Sequence, residues 1–410
     1  MTRRRTAIVI GGGIAGQVAA VALRRAGIES TVHEAHDRHA DGVGAFLGLG
    51  LNGIDALRTV GLDAPVLARS IATPRMVLLD GRGRVLADVP NGGTLPDGTH
   101  AITIRRPDLY AALREEAGRR GLPTAVGRRL TGIGHTARGV RAEFADGSSA
   151  EADVLVGADG IRSTTRRLLD PRAPDAAYVG FLNTGGYARG VDVPGPAGVN
   201  HLCFGRRAFF GWIKAPDGEV WWFANPPVPR EPDPEELATV PAPLWRARLL
   251  DLFADDRSPA VDLVRATEEV FPGWITYDLP SVPTWHDGRA VLIGDAAHAV
   301  SPSAGQGAAM AIEDAVVLAM CLRDHDDVPA ALARYEQLRR DRVERVRAQG
   351  RRNGAGKTVG PLGRAVRDLA LPIVMRRLFR NGRDPLRWVW DHHIDWDTPV
   401  TADAPAAVIR

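Results

Sequence analysis

Lysine is almost missing from this 410-residue chain: Lys214 and Lys357 stand against 50 arginines. Cysteine is equally scarce. Cys203 and Cys321 alone exclude a disulfide framework and a cysteine-based metal cluster. An excess of either charge is also lacking. The formal net charge is only +3 although the pI is 9.1, so a nucleic-acid binder is not expected. Hydrophobic residues at 45% and charged residues at 25% exclude disorder and collagen-like structure. One uncharged stretch stands out, Thr6–Leu23 after Arg3, Arg4 and Arg5, with the outline of an export signal. Its Gly11, Gly12, Gly13, Gly16 and Gln17 point to another use. A cytoplasmic protein with no stable membrane association is the expectation.

What is present reads first as strand, glycine turn, helix, strand. Ala7–Ile10 is a short apolar run suited to a parallel strand buried on both faces. Ile14–Ala26 has small and apolar residues at helical spacing and stops at Gly27. Ser30–Glu34 is a second strand, and Leu51–Val60 a helix ended by Gly61. Met76–Leu79 and Arg84–Val89 flank Asp80-Gly81-Arg82-Gly83, which predicts a hairpin. Pro107 opens a helix over Asp108–Arg120. Strands are predicted at Val140–Phe144 and Asp153–Val156.

The segment from Pro171 to Pro280 is rich in proline and tryptophan. It predicts an antiparallel sheet through Val199–Phe204, Ala208–Ile213 and Glu219–Phe223, with one helix, Pro234–Phe253, lying on it. A buried strand, Ala290–Ile293, and a small-residue helix, Gln306–Leu322, follow. Two arginine-rich helices come last, near Pro329–Gln349 and Leu362–Arg380. The fold class expected is α/β: a Rossmann-like domain with a parallel sheet, an antiparallel-sheet substrate domain and C-terminal helices. The boundaries expected are 1–73, 100–170 and 281–345 for the first, 74–99 and 171–280 for the second, and 346–410 for the helical segment. No repeat or low-complexity tract is found.

Gly11-x-Gly13-x-x-Gly16 falls between the first strand and the first helix. Glycine at 11 permits a tight turn, glycine at 13 lets backbone approach a pyrophosphate, and Gly16 permits close helix–strand packing. The helix start at Ile14 and Ala15 offers free N–H groups to phosphates. Glu34, eighteen residues after Gly16, ends the second strand where a carboxylate accepts hydrogen bonds from an adenosine ribose. Two decoys share the vocabulary. Gly48-x-Gly50-x-x-Gly53 has no clear strand before it and is expected to be a flexible loop. Gly354-Ala-Gly356-Lys357-Thr358 has arginine at 351 where a phosphate loop needs glycine, and is expected to be an interhelical turn.

Two further segments repeat one design. Gly157-Ala158-Asp159-Gly160 and Gly294-Asp295-Ala296-Ala297-His298 each put a carboxylate at the end of a buried strand, where ligands bind in open α/β sheets. Asp295 suits a polyol hydroxyl of a cofactor. Gly305 and Gly307 open the long helix, whose positive N-terminal end suits an anion.

In their order along the chain, the glycine fingerprint with Glu34, Arg106-Pro-Asp-Leu109, Gly157–Gly160 and Gly294–His298 with Pro302 and Gly305-Gln-Gly307 resemble one family. It is the group A FAD-dependent aromatic hydroxylases of the para-hydroxybenzoate hydroxylase fold, and the resemblance spans about residues 6–350. It implies one bound FAD, reduction by NADPH or NADH, and a flavin C4a-hydroperoxide that hydroxylates or epoxidises an aromatic or conjugated small molecule. A polyketide-like substrate and a place in antibiotic or other natural-product tailoring fit the same class. By the resemblance Glu34 binds ribose and Arg106 lies near flavin or pyrophosphate. Asp159 belongs to a motif used for FAD and NAD(P)H, Asp295 contacts the ribityl chain and Pro302 faces the flavin. The family often has an arginine before the segment that here reads Asp41-Gly-Val-Gly-Ala45. Arg38 and His39 are the nearest candidates. Gly42, Gly44 and Gly48 suit a loop that moves with the flavin.

Other residues have plainer readings. Phe210, Trp222 and Phe223 are the favoured wall of a substrate cavity, since strands over the flavin must supply it. His298 reads as a structural hydrogen-bonding residue. His201 and Asn225 either orient a substrate or face solvent. His392-His393 lacks a third metal ligand. The basic helix Leu362–Arg380 is expected to pack its Leu/Val face on the body rather than on a membrane. No side chain is singled out as a catalytic base. The alternatives left open are a reductase or dehydrogenase of the same fold and a non-enzymatic FAD-binding sensor; a flavin halogenase is disfavoured, because no Trp-x-Trp-x-Ile-Pro segment occurs. Monomer and homodimer are both compatible with the sequence.

Overall fold

The computed structural model describes residues 4–37, 45–136, 139–355, 360–379 and 384–400. Its central sheet has six strands in the order His286–Asp287, Ala290–Leu292, Val154–Gly157, Thr6–Ile10, Glu29–His33 and Thr124–Ala125. All neighbours pair parallel except the first two. Val154, Leu155 and Val156 are fully buried, as continuous apolar runs covered on both faces should be. One face packs on helices Ile14–Arg25 and Gly307–Asp324. The other packs on the three-stranded sheet of Leu130–His135, Val140–Phe144 and Ser149–Ala152.

A second, seven-stranded sheet runs Trp274–Asp278, Ala177–Ala188, Val220–Asn225, Phe209–Lys214, Val199–Phe204, Arg75–Asp80 and Val85–Pro90. It is antiparallel apart from one pair, Val199–Phe204 with Arg75–Asp80. Strand alternation splits its side chains. Phe210, Trp212, Trp222 and Ala224 face a core closed by Trp245, Leu249, Phe253, Leu263 and Val264. Ile213 and Trp221 face the opposite way, and Phe223 packs on Phe46 there.

Three expectations change. The helix over 234–253 is two helices, Pro234–Ala238 and Ala242–Phe253. Pro241 has no N–H to donate and pushes its predecessor out of helical geometry, so the chain breaks there. Gly48 lies in a strand, Phe46–Leu49, paired antiparallel with Ile102–Arg105, and Gly50 starts helix Leu51–Thr59. The second glycine match is therefore an ordered strand–helix turn and not a loop. Finally, helix Pro361–Leu378 packs through Leu371, Met375 and Phe379 on Leu78, Leu86 and Val89, leaving much of its Leu/Val face outward. Helix Val328–Ala355 continues through Gly354; Gly356, Lys357 and Thr358 lie outside the described residues.

Candidate functional site

The carboxyl ends of strands Thr6–Ile10, Val154–Gly157 and Ala290–Leu292 stand side by side, with Ile10 opposite Gly157 and Gly157 opposite Leu292. Gly11 leaves the first strand at φ +103°, and a side chain there would strike the Ala158 carbonyl at 2.4 Å. A methyl at Gly16 would fall 1.9 Å from the Gly11 oxygen. The turn therefore closes with backbone on backbone, at contacts no side chain permits. Gly13 has nothing within 4 Å of its missing side chain and precedes the start of helix Ile14–Arg25 at Ile14 and Ala15. The open side of that turn is where the free N–H groups of the helix point.

Glu34 follows the second strand and reaches back to this turn. Its carboxylate accepts from Gly12 N at 2.8 Å and His36 N at 3.0 Å, and it remains half-exposed. Asp159 and Asp295, alike in sequence, differ in use. The Asp159 carboxylate accepts from Ser163 Oγ at 2.6 Å and from Thr165 N and Oγ1 at 2.9 and 3.0 Å, fixing its own turn. Arg166 bolts that turn to its neighbour through the carbonyls of Ile161 and Ala296.

Asp295 stays open to solvent, yet the protein around it raises its pKa by burial, with Arg106 and His298 opposing. Asp295 is therefore a carboxylate set among dense protein with one side open to solvent. Gly307, at the start of the long helix, lies beside it, while Pro302 and Gly305 are exposed nearby in sequence. Arg106 is half-buried, donates to Tyr110 Oη at 3.2 Å and carries a buried Nε with no partner. An unsatisfied guanidinium N–H next to a cofactor-type turn is a donor in want of an acceptor. Arg38, His39, Gly42 and Gly44 lie outside the described residues.

Around Ala45–Phe46 gathers an aromatic group. Phe46 contacts Trp221 and Phe223, and the Tyr187 hydroxyl donates to the Ala45 carbonyl at 3.0 Å. Burial pushes the Tyr187 pKa up to about 12, so it stays a neutral donor at neutral pH. Arg105 lies over the rings of Tyr187 and Trp221 and pairs with Glu219. Phe223 thus belongs to the face turned toward the parallel-sheet lobe. Phe210 and Trp222 do not: Phe210 stacks on Trp222, and Trp222 donates to Thr267 Oγ1, all within the opposite core. Period-two alternation separates adjacent residues 222 and 223. His201 is buried, stacked on Trp212, and Asn225 donates to Asn183 Oδ1.

Sequence reading missed a buried ionic network behind the site. Glu313 and Asp314 sit fully buried on helix Gly307–Asp324. Arg339 pairs with both, and Arg342 grips Glu313 through two nitrogens at 2.8 and 2.9 Å. Asn52 links Glu313 to Gln306, and His392 approaches Glu313 at 3.4 Å. Asp314 also accepts from Gly294 N and meets His298 Nε2 at 2.5 Å, so it holds the turn that carries Asp295. His298 is a hydrogen-bonded core residue. The signal available was two adjacent acids in a helix whose other residues, up to Leu322, are small or apolar. A separate recess of about 400 Å³ opens beside Arg24, Arg25, Arg58 and Arg120. Those arginines are tied to backbone carbonyls and, at Arg58 and Arg120, to Asp63, Asp97 and Glu116.

The FAD binding domain model matches residues 4–212 and 278–349. The chain is 34% identical over 343 residues to an aurachin C monooxygenase/isomerase of Stigmatella aurantiaca, covering 82% of this chain and 86% of that protein. It is 30% identical over 390 residues to a 2-heptyl-3-hydroxy-4(1H)-quinolone synthase of Mycobacteroides abscessus, covering 90% and 97%. Its fold matches the crystal structure of Klebsiella pneumoniae HpxO with FAD and uric acid at a TM-score of 0.81 and 27% identity, over 92% and 95% of the two chains. Among the described residues no helix is long and apolar enough to cross a membrane. Glycine turn, strand-end carboxylates and these likenesses agree: the chain belongs to the FAD-dependent aromatic hydroxylases and is an FAD-dependent monooxygenase.

Proposed function

We propose that this monooxygenase acts on a neutral, fused aromatic ring of the quinolone type, in natural-product tailoring. The observation that carries the reading is the partly exposed pair Phe46 and Phe223, backed by the buried Trp221, whose one neighbouring cation, among the residues described around it, is already paired. Arg105 is held by Glu219 and two aromatic faces, so this wall offers flat apolar contact and no charge for a carboxylate. The quinolone named for one relative is consistent with that chemistry.

FAD, when bound, is reduced by NADPH or NADH and supplies the oxygen-activating chemistry. The residues present fit it. In our reading the N–H groups at Gly13, Ile14, Ala15 and Gly16, with the unpartnered Arg106 Nε, hold the pyrophosphate, Gly11, whose own N–H donates to the His33 carbonyl, shapes the turn, and Glu34 takes the adenosine ribose. Asp295 accepts from the ribityl chain, and Pro302, Gly305 and Gly307 border the ring system at a positive helix end. Asp159 acts as a positioning residue, setting the turn against which Gly11 closes. Tyr187 fixes Ala45–Phe46 through its hydroxyl, and the aromatic wall excludes water from the reacting ring.

Oxygen and NADPH consumption with a 2-alkyl-4-quinolone, urate and salicylate tests the proposal. The quinolone is expected to give the highest kcat/KM and a product heavier by one oxygen. Faster turnover of salicylate or urate defeats it. Phe223→Ala should raise KM for the quinolone at least tenfold with FAD retained. Phe210→Ala should lower Tm and leave KM unchanged.

A further inference from the structure

Helix Pro361–Leu378 wears its polarity inside out. Arg367 and Asp368 are largely covered by the body, with Arg367 over the Phe204 ring. Leu371, Met375 and Phe379 pack on the outer strands of the seven-stranded sheet. Pro372 lies within the helix and removes one N–H, and Arg84 reaches the Asp368 carbonyl left free at 3.0 Å. The helix is thus seated by specific contacts and not loosely laid down. Its outward side nevertheless carries Leu362, Val366, Leu369 and Ile373, exposed by 83, 63, 71 and 52%. Val374 adjoins the row, and Gly363, Ala365 and Ala370 leave it shallow.

The row advances by four, three and four residues, the spacing of a helix-pairing seam. From Leu362 to Val374 no outward position bears a charge; Arg376 and Arg377 come only in the last turn. We propose that this face is a homodimer interface, in which the helix pairs antiparallel with the same helix of a second copy. In an antiparallel pair Leu362 meets the partner copy's position 373 and Val366 its position 369, so one seam serves both copies as a two-fold axis requires. The arginine pairs then lie at opposite ends, roughly 20 Å or more apart at 1.5 Å per residue, and do not repel.

Area supports a second copy. The four outward Leu, Val and Ile side chains present roughly 500 Å² per copy, toward the ~600 Å² per partner at the small end of a standard stable interface. That is also the upper end of what a monomer leaves exposed in one patch. A lipid surface fits less well. Interfacial helices ring their apolar face with cations and aromatic anchors, whereas here Arg367 turns inward and the face has no aromatic residue.

The test is sedimentation velocity of the FAD-loaded full chain at micromolar concentration. The expected mass is twice 44.0 kDa. Leu369→Asp with Ile373→Asp should give a monomer with FAD content and turnover unchanged, since neither residue touches the cofactor region. Orientation is read by cysteine pairs, as the natural Cys203 and Cys321 are buried. Leu362→Cys and Ile373→Cys proteins, mixed and oxidised, should cross-link to each other and neither to itself. Three outcomes overturn the proposal. They are a monomeric parent protein, a dimer indifferent to the Asp pair, and a monomer that cofloats with phosphatidylglycerol vesicles through this face.

Discussion

The same glycine spacing occurs twice, at 11–16 and at 48–53, and the two segments do different physical work. At the first, Gly11 adopts a positive φ and backbone closes on backbone, leaving the N-terminus of a helix free beside three strand ends. At the second, a side chain on Gly53 would meet Ala309 Cβ at 2.9 Å, and one on Gly50 would meet Asn52, Trp390 and Gln306. Its glycines let helix Leu51–Thr59 sit down on helix Gly307–Asp324, which brings Asn52 to Glu313 at 2.7 Å. One spacing exposes backbone to a ligand, and the other removes side chains between two helices. The motif is a statement about closeness, and only its surroundings decide what comes close.

The largest expected effect separates the two at the cofactor. Gly16→Ala puts a methyl where 1.9 Å is available against the Gly11 oxygen, so the turn must open. FAD affinity should fall at least 100-fold, read by flavin absorbance of the purified protein and by titration calorimetry. Gly53→Ala should keep its FAD but melt several degrees lower, since forcing a methyl between packed helices costs about 1–3 kcal/mol. Loss of FAD from Gly53→Ala at an unchanged Tm would erase the distinction.

Much of this was legible beforehand because it is local. Strand Thr6–Ile10, helix Ile14–Arg25, the hairpin from Arg75 to Pro90 and the carboxylates at 34, 159 and 295 are each set by periodicity or by a turn a few residues long. The misreadings share a cause. Whether Phe210 and Trp222 or Phe223 face the cavity depends on which side of a sheet is covered, and the helices that decide it come later in the chain. Gly48 pairs with Thr103, a partner 55 residues away. The ionic network joins Asn52, Glu313, Arg339 and His392, four segments no local pattern connects. The outward row of helix Pro361–Leu378 is invisible to periodicity, which finds an apolar face without saying where it points.

The smallest effect tests whether the second glycine segment really leans on that network. Burial first, and then the neighbouring Arg342 and Arg339, lower the His392 pKa to about 3. Glu313 pulls the other way but is outweighed by burial together with the two arginines that pair with it. His392 is therefore neutral in the folded protein throughout the mildly acidic range, while in the unfolded chain it charges below its ordinary 6.5. The unfolded state then binds the extra proton, so stability falls with falling pH, by about 1.4 kcal/mol per unit between 6.5 and 3. From pH 6.5 to 5 the loss is about 2 kcal/mol. His392→Gln cannot titrate. It should start less stable at pH 7 and lose less on acidification, so the two denaturation curves converge toward pH 5. Parallel curves would mean that His392 is already charged in the fold, and that the ion network behind Gly50 and Asn52 is balanced by a third cation rather than by two arginines.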